Sequence, residues 1–296
     1  MKWDDLRRSG NIEDMRSRGP VRGASGGRGG MRLLFPLAKM LIGTKIGRIV
    51  LIIGVVAYFM GFNPLALLDT PAVAPQNTAA PTTAQDNESA AFVSAVLAQT
   101  EDVWNTQFAA AGTTYKEPKL VLFRQSIQSA CGYADAQVGP FYCPVDQKVY
   151  LDLGFFDELT RRHHAPGDFA QAYVIAHEIG HHVQNLVGTL NKSHQAKQMA
   201  RSSSQANAVQ VKVELQADCY AGIWAHYVNA KGTILEPGDI EEALNAASAI
   251  GDDTLQKQAQ GYVVPDTFTH GSSAERMAWF NRGFKSGSLQ ACNTGL

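Results

Sequence analysis

The 296-residue chain has no CxxC pair, no glycine-rich phosphate loop and no internal repeat. The first absence removes cysteine-ligated zinc folds, the second P-loop nucleotide binders, and the third solenoids and propellers. Cysteine is scarce: there are four, all after residue 130. Net charge is nearly absent too, at −1, but that sum conceals an asymmetry. Residues 1–48 carry 11 Lys/Arg against 4 Asp/Glu, or +7, and the remainder carries 15 against 23, or −8. A basic arm can mean nucleic acid. This one is Gly- and Arg-rich without interleaved aromatics and abuts a hydrophobic run, so no nucleic-acid partner is expected.

That run, residues 49–68, has no charged residue and is interrupted only by Gly54, Gly61, Asn63 and Pro64. Twenty residues at about 1.5 Å each span roughly 30 Å, the thickness of a bilayer core. Lys39, Lys45 and Arg48 precede it with no matching cations just after Leu68, which predicts a cytoplasmic N-terminus. The basic region is too long for a cleaved signal peptide, and Pro75 disfavours cleavage after Ala72-Val73-Ala74. The expected organisation is a cytoplasmic arm (1–48), a single transmembrane helix in the lipid bilayer (49–68), an Ala/Pro/Thr-rich linker (69–90) and a domain (91–296) outside the cytoplasmic membrane. In a source with an outer membrane that domain would be periplasmic.

Chemistry concentrates at His177-Glu178-Ile179-Gly180-His181. Residues four apart share a helix face, so two imidazoles can hold one Zn²⁺ with the intervening carboxylate as general base. Gly167-Asp168 offers an N-cap, 169–186 reads as helix, and Gly188 closes it. Ala172, Ile175, Ile179 and Leu186 form a second, apolar face. A catalytic zinc needs a third protein ligand and one open position. A second helix, 206–230, supplies Glu214 and Asp218 on one face. Glu214 is the expected ligand, and Asp218 the acceptor that fixes a ligand imidazole's tautomer. Ala217, Ala221 and Gly222 are small enough for close helix approach. Downstream, Ser272 and Glu275 form a capping box for a helix over 273–284, with His270 just before it and Arg276 in its first turn. His270 could donate to a developing oxyanion, and Arg276 could pair with a buried carboxylate.

HEIGHH, ELQAD 37 residues after the first His, and THGSSAER resemble the gluzincin arrangement of HExxH, ExxxD and a downstream His six residues before an Arg. The usual Pro after that His is Gly271 here. More closely, the chain resembles a bacterial neutral zinc metallopeptidase family. The matching phrases are WDDLRRSGNIEDMR, CGYADAQVGPFYCPVDQKVYLDLGFFDEL, GDFAQAYVIAHEIGHHVQNLVG, VELQADCYAGIWA and FTHGSSAERMAWFNRGF, in order from residue 3 to 284. The resemblance implies a zincin fold and a peptidase.

The expected fold class is therefore α+β: a mostly helical, zincin-like domain with a small β-sheet, preceded by a single transmembrane helix. A helix over 92–111, a strand over 119–124, a hairpin over 141–153 turning at Pro144-Val145-Asp146, and a short helix over 155–162 complete the reading. His163 and His164 are expected in a loop. Cys131 with Cys143, and Cys219 with Cys292, are candidate disulfides for an exported domain. The expected function is membrane-anchored, zinc-dependent hydrolysis of peptide or protein substrates. One zinc per chain would sit on His177, His181 and Glu214. Glu178 is the base, and His270, Tyr173 or Tyr220 the oxyanion donor. An extended substrate would pair with the 141–153 hairpin. The alternative is a non-catalytic, metal-stabilised, membrane-anchored scaffold, which would have no need of Glu178.

Overall fold

A computed structural model describes residues 1–18, 82–135 and 138–296. Along the chain run strand β1 (Ile12–Asp14), helix α1 (Ala84–Ala110), strands β2 (Lys119–Phe123), β3 (Ser126–Ser129), β4 (Gly132–Asp135), β5 (Phe141–Cys143) and β6 (Lys148–Asp152), and helices α2 (Gly154–Arg161), α3 (Asp168–Leu186), α4 (Thr189–Gln198), α5 (Ser203–Ala230), α6 (Asp239–Ala249), α7 (Asp252–Gln260) and α8 (Ser273–Ser286). Strand order in the main sheet is β1-β2-β6-β5, with β1, β2 and β6 parallel and β5 antiparallel on the edge beside β6. Alternation along the central strands divides two cores. Leu120, Leu122, Val149 and Leu151 face the helices, while Val121, Phe123 and Tyr150 face Ile127 and Ala134 of the β3–β4 hairpin.

Helix α3 is the centre of the helical core. Phe169, Ala172, Tyr173, Ile175, Ile179 and Val183 are all buried, so its apolar residues pack against neighbours nearly all round. Two close approaches then set the positions of the functional side chains. A methyl group at Gly180 would lie 3.0 Å from the Ala217 carbonyl oxygen, so α3 and α5 meet nearly backbone to backbone there. On the other side of α5, a methyl at Gly283 would lie 1.9 Å from the Cys219 carbonyl oxygen, so α8 fits only without a Cβ. Gly222 likewise admits α8 rather than α3, a different neighbour from the one expected.

Membrane anchoring with the N-terminus inside and the domain outside is overturned. No helix among the described residues is long and apolar enough to cross a membrane, and the predicted span 49–68 lies outside them. Residues 1–18 moreover belong to the same compact unit as the C-terminal elements. Ile12, Glu13 and Asp14 pair with Leu120, Val121 and Leu122. Glu101 of α1, 2% exposed, accepts bonds from Arg7, Ser9 and Asn11, and the Met1 ammonium lies 2.7 Å from Asp168. A segment that completes a sheet and satisfies a buried carboxylate of a domain lies on the same side of any bilayer as that domain. The single-crossing expectation therefore fails on geometry as well.

Helix α1 begins at Ala84, inside the expected linker, because Thr83 and Asp86 form a reciprocal capping box. Helix α5 begins three residues before expectation, where Ser202 caps Gln205. Both disulfides, Cys131–Cys143 and Cys219–Cys292, are formed. The first holds the β3–β4 connection to edge strand β5, and the second ties the C-terminal turn to α5.

Candidate active site

Helix α3 carries His177, Glu178 and His181 into a cleft of about 1220 Å³, and Glu214 of α5 faces them. Glu214 Oε2 lies 3.2 Å from His177 Nε2 and 3.4 Å from His181 Nε2. Donor atoms on a tetrahedral zinc, with bonds of roughly 2.0–2.1 Å, stand about 3.3 Å apart. The three residues thus fit a zinc ion in both chemistry and spacing.

Each ligand candidate is oriented from behind. His177 donates Nδ1–H to Asp218 Oδ1 at 2.8 Å, and His181 donates Nδ1–H to Gln184 Oε1 at 2.9 Å, so both Nε2 atoms turn toward Glu214. Gln210 donates to the other Glu214 oxygen at 2.5 Å, which leaves Oε2 for the cluster. Asp218 is itself clamped. Arg276 reaches it through Nε at 2.9 Å and Nη2 at 3.0 Å, and Tyr173 donates its hydroxyl at 2.5 Å. The α5–α8 contact at Gly283 is what brings Arg276 within that range.

The electrostatics favour a cation where the three donors meet. Burial alone would push the Asp218 carboxyl upward, but the Arg276 and His177 charges outweigh it and lower the pKa to about 2. Glu214 behaves alike: burial opposes ionisation, and the two imidazoles hold it well below the usual carboxylate range. For His177, burial pulls down and Asp218 and Glu214 pull up harder, to about 10. Two ionised carboxylates flanking paired imidazoles form a site set for positive charge.

Glu178 is 7% exposed and lines the cleft with no hydrogen bond or ion pair among the described residues. His270 also lines the cleft and is half exposed. Its loop wraps Asp252, whose Oδ2 accepts the backbone N–H groups of Thr269, His270 and Gly271 at 2.6, 2.6 and 3.1 Å. Asp252 Oδ1 lies 3.3 Å from His270 Nδ1. The tyrosines are placed differently. Tyr173 is fully buried with its hydroxyl committed to Asp218. Tyr220 packs against Trp104 and does not line the cleft. His163 lines the cleft wall and His164 does not; among the described residues neither joins a cluster of metal-ligating groups.

One rim of the cleft is edge strand β5, through Phe141 and Tyr142. A relay fastens it to α3. His182 Nε2–H donates to the Lys116 carbonyl at 2.6 Å, so Nδ1 accepts the Tyr142 hydroxyl at 3.0 Å, and Asn185 donates to the Tyr142 oxygen at 3.0 Å. Burial lowers the His182 pKa to about 4, consistent with this neutral tautomer. Sequence reasoning missed Gln184, Gln210, Asp252 and this relay. Gln184 and Gln210 had a signal, three and four residues from candidate ligands on the same helix face; Asp252 had none.

The family described as "Putative neutral zinc metallopeptidase" matches residues 1–295. "Uncharacterized protein YpfJ" of Escherichia coli (strain K12) is 47% identical over 296 residues, covering 99% of this chain and 98% of that protein. "Uncharacterized protein Mb2605" of Mycobacterium bovis is 46% identical over 190 residues, 61% of this chain and 63% of its own length. No solved structure matches.

Proposed function

The chain belongs to this neutral zinc metallopeptidase family, and from that premise we propose that it hydrolyses peptide bonds of extended peptide or protein segments in the α3–α5 cleft. His177, His181 and Glu214 would hold one Zn²⁺ per chain. When bound, the ion supplies Lewis acidity, acidifying water and polarising a carbonyl. Glu178 takes the proton of the attacking water on its carboxylate and returns it to the leaving amine. His270, oriented by Asp252, donates to the oxygen of the tetrahedral intermediate. The substrate backbone pairs with the free edge of β5, and the cleft exceeds the roughly 300–1,000 Å³ of small-molecule pockets. The observation that carries this reading is the meeting of two Nε2 atoms and one carboxylate oxygen 3.2 and 3.4 Å apart, beside Glu178, a carboxylate with no hydrogen bond or ion pair among the described residues.

The test uses the purified full chain. It should contain about one zinc and hydrolyse peptides in a manner abolished by chelator and restored by zinc. Glu178→Gln keeps size and removes the base, so zinc should stay while turnover falls by roughly 10²–10⁴. Undiminished turnover in that variant would sink the mechanism.

A further inference from the structure

Lys197 of α4 stands in the wall of the same cleft with its charge unmatched. Its ammonium donates to Gln210 Oε1, the same amide that donates to Glu214, so the cation lies one amide away from the candidate metal cluster. No carboxylate lies within 4.0 Å of it among the described residues, whereas Arg276, a buried cation lining the same cleft, has Asp218 at 2.9 Å. Arg162, at the end of α2, lines the cleft in the same unpaired state. Against these two cations, the one unpaired wall carboxylate outside the proposed catalytic residues is, among the described residues, Glu158.

A cation kept in a cleft without a counter-ion carries a desolvation cost that a ligand of opposite charge relieves. Gln210 takes one of its three N–H donors. We propose that Lys197 receives a carboxylate of the substrate close to the scissile bond, so that the protein prefers anionic peptides. This rests on the peptidase reading above, since the occupant of the cleft is taken to be a peptide. The carboxylate can be an acidic side chain or a free C-terminus, which share the same chemistry at the ammonium. Burial lowers the Lys197 pKa, and the field of Glu214 offsets it only in part. A substrate carboxylate beside the ammonium would favour its charged form.

The experiment uses the zinc-loaded full chain and a library of short random peptides, prepared both with free C-termini and amidated, with products sequenced. Charge-assisted hydrogen bonds are worth about tenfold or more in affinity. Cleavage should therefore be enriched about tenfold either for Asp/Glu at one position, in both library forms, or for the free over the amidated terminus. The enrichment should shrink with salt. Lys197→Met should erase it, and Lys197→Arg should restore it with zinc content held at about one. Hydrolysis without charge preference, or a preference unchanged in Lys197→Met, would overturn the inference and leave the peptidase reading intact. In parallel, fluorescein-labelled members of both library forms are bound to the full-length Glu178→Gln chain and read by anisotropy. Carboxylate-selective binding without hydrolysis by the native chain would sustain the inference and overturn the peptidase reading. No binding of either form would overturn both.

Discussion

The candidate-ligand side of the cleft and the His270 side are held in opposite ways. His177, Glu214, Asp218 and Arg276 are 6, 5, 0 and 2% exposed, and each is oriented by at least one further group. His270 is 52% exposed in its side chain and hangs from a loop gathered round one carboxylate. Taking charges out of water requires partners fixed in advance, which accounts for the first arrangement. A donor that meets charge appearing only during the reaction gains from access to the cleft and needs only to be aimed.

If that contrast is real, the largest loss comes from the clamped side. Asp218→Ala leaves the Arg276 guanidinium buried without its counter-charge and His177 without its acceptor. We expect a loss of about 3–5 kcal/mol in denaturant unfolding, together with the zinc; a loss under about 1 kcal/mol would mean that the cluster does not organise this core.

Next comes the relay that fastens β5 to α3. The folded pKa of His182, about 4, lies below its ordinary 6.5. Between those values the unfolded chain binds more protons. Its contribution is therefore fully present above about pH 6.5 and lost as pH falls toward 4, on the order of 3 kcal/mol. His182→Gln should flatten the pH dependence of stability in that window. An unchanged acid limb would assign it to other groups.

On the exposed side, effects should appear in rate rather than stability. His270→Ala should lower kcat about 10²-fold, with zinc content and KM nearly constant and unfolding within about 0.5 kcal/mol of the native chain. Loss of zinc would instead make His270 part of the clamped half. The smallest effect is expected from Asp252→Asn, which keeps an acceptor for the loop N–H groups and removes the charge behind His270. A loss of about tenfold in kcat with KM unchanged would mark a positioning role, whereas normal kcat would show that the loop backbone alone aims His270.

By itself the sequence determined what depends on local geometry. His177, Glu178 and His181 share a helix turn whatever surrounds them. Ser272 and Glu275 form their capping box within four residues, and the continuous apolar runs 120–123 and 149–151 yield strands buried on both faces. Glu214 and Asp218, four apart, likewise share a face of their own helix, and the phrases shared with the metallopeptidase family contain the same HExxH and ELQAD segments. Hydropathy and flanking charge, read locally, pointed instead to an arm separated from the domain by a membrane. Nothing local could show that Ile12–Asp14 completes a sheet on β2, because a three-residue strand is defined by its partner and not by its own pattern. The same holds for Asp252, which reaches His270 from 18 residues away. Only the tertiary structure decided which oxygen of Glu214 meets the imidazoles, since that depends on the backbone contact of Gly180 with Ala217 and on Gln210 engaging the other oxygen. Spacing places side chains on a face, but close packing between elements distant in the chain decides what that face meets.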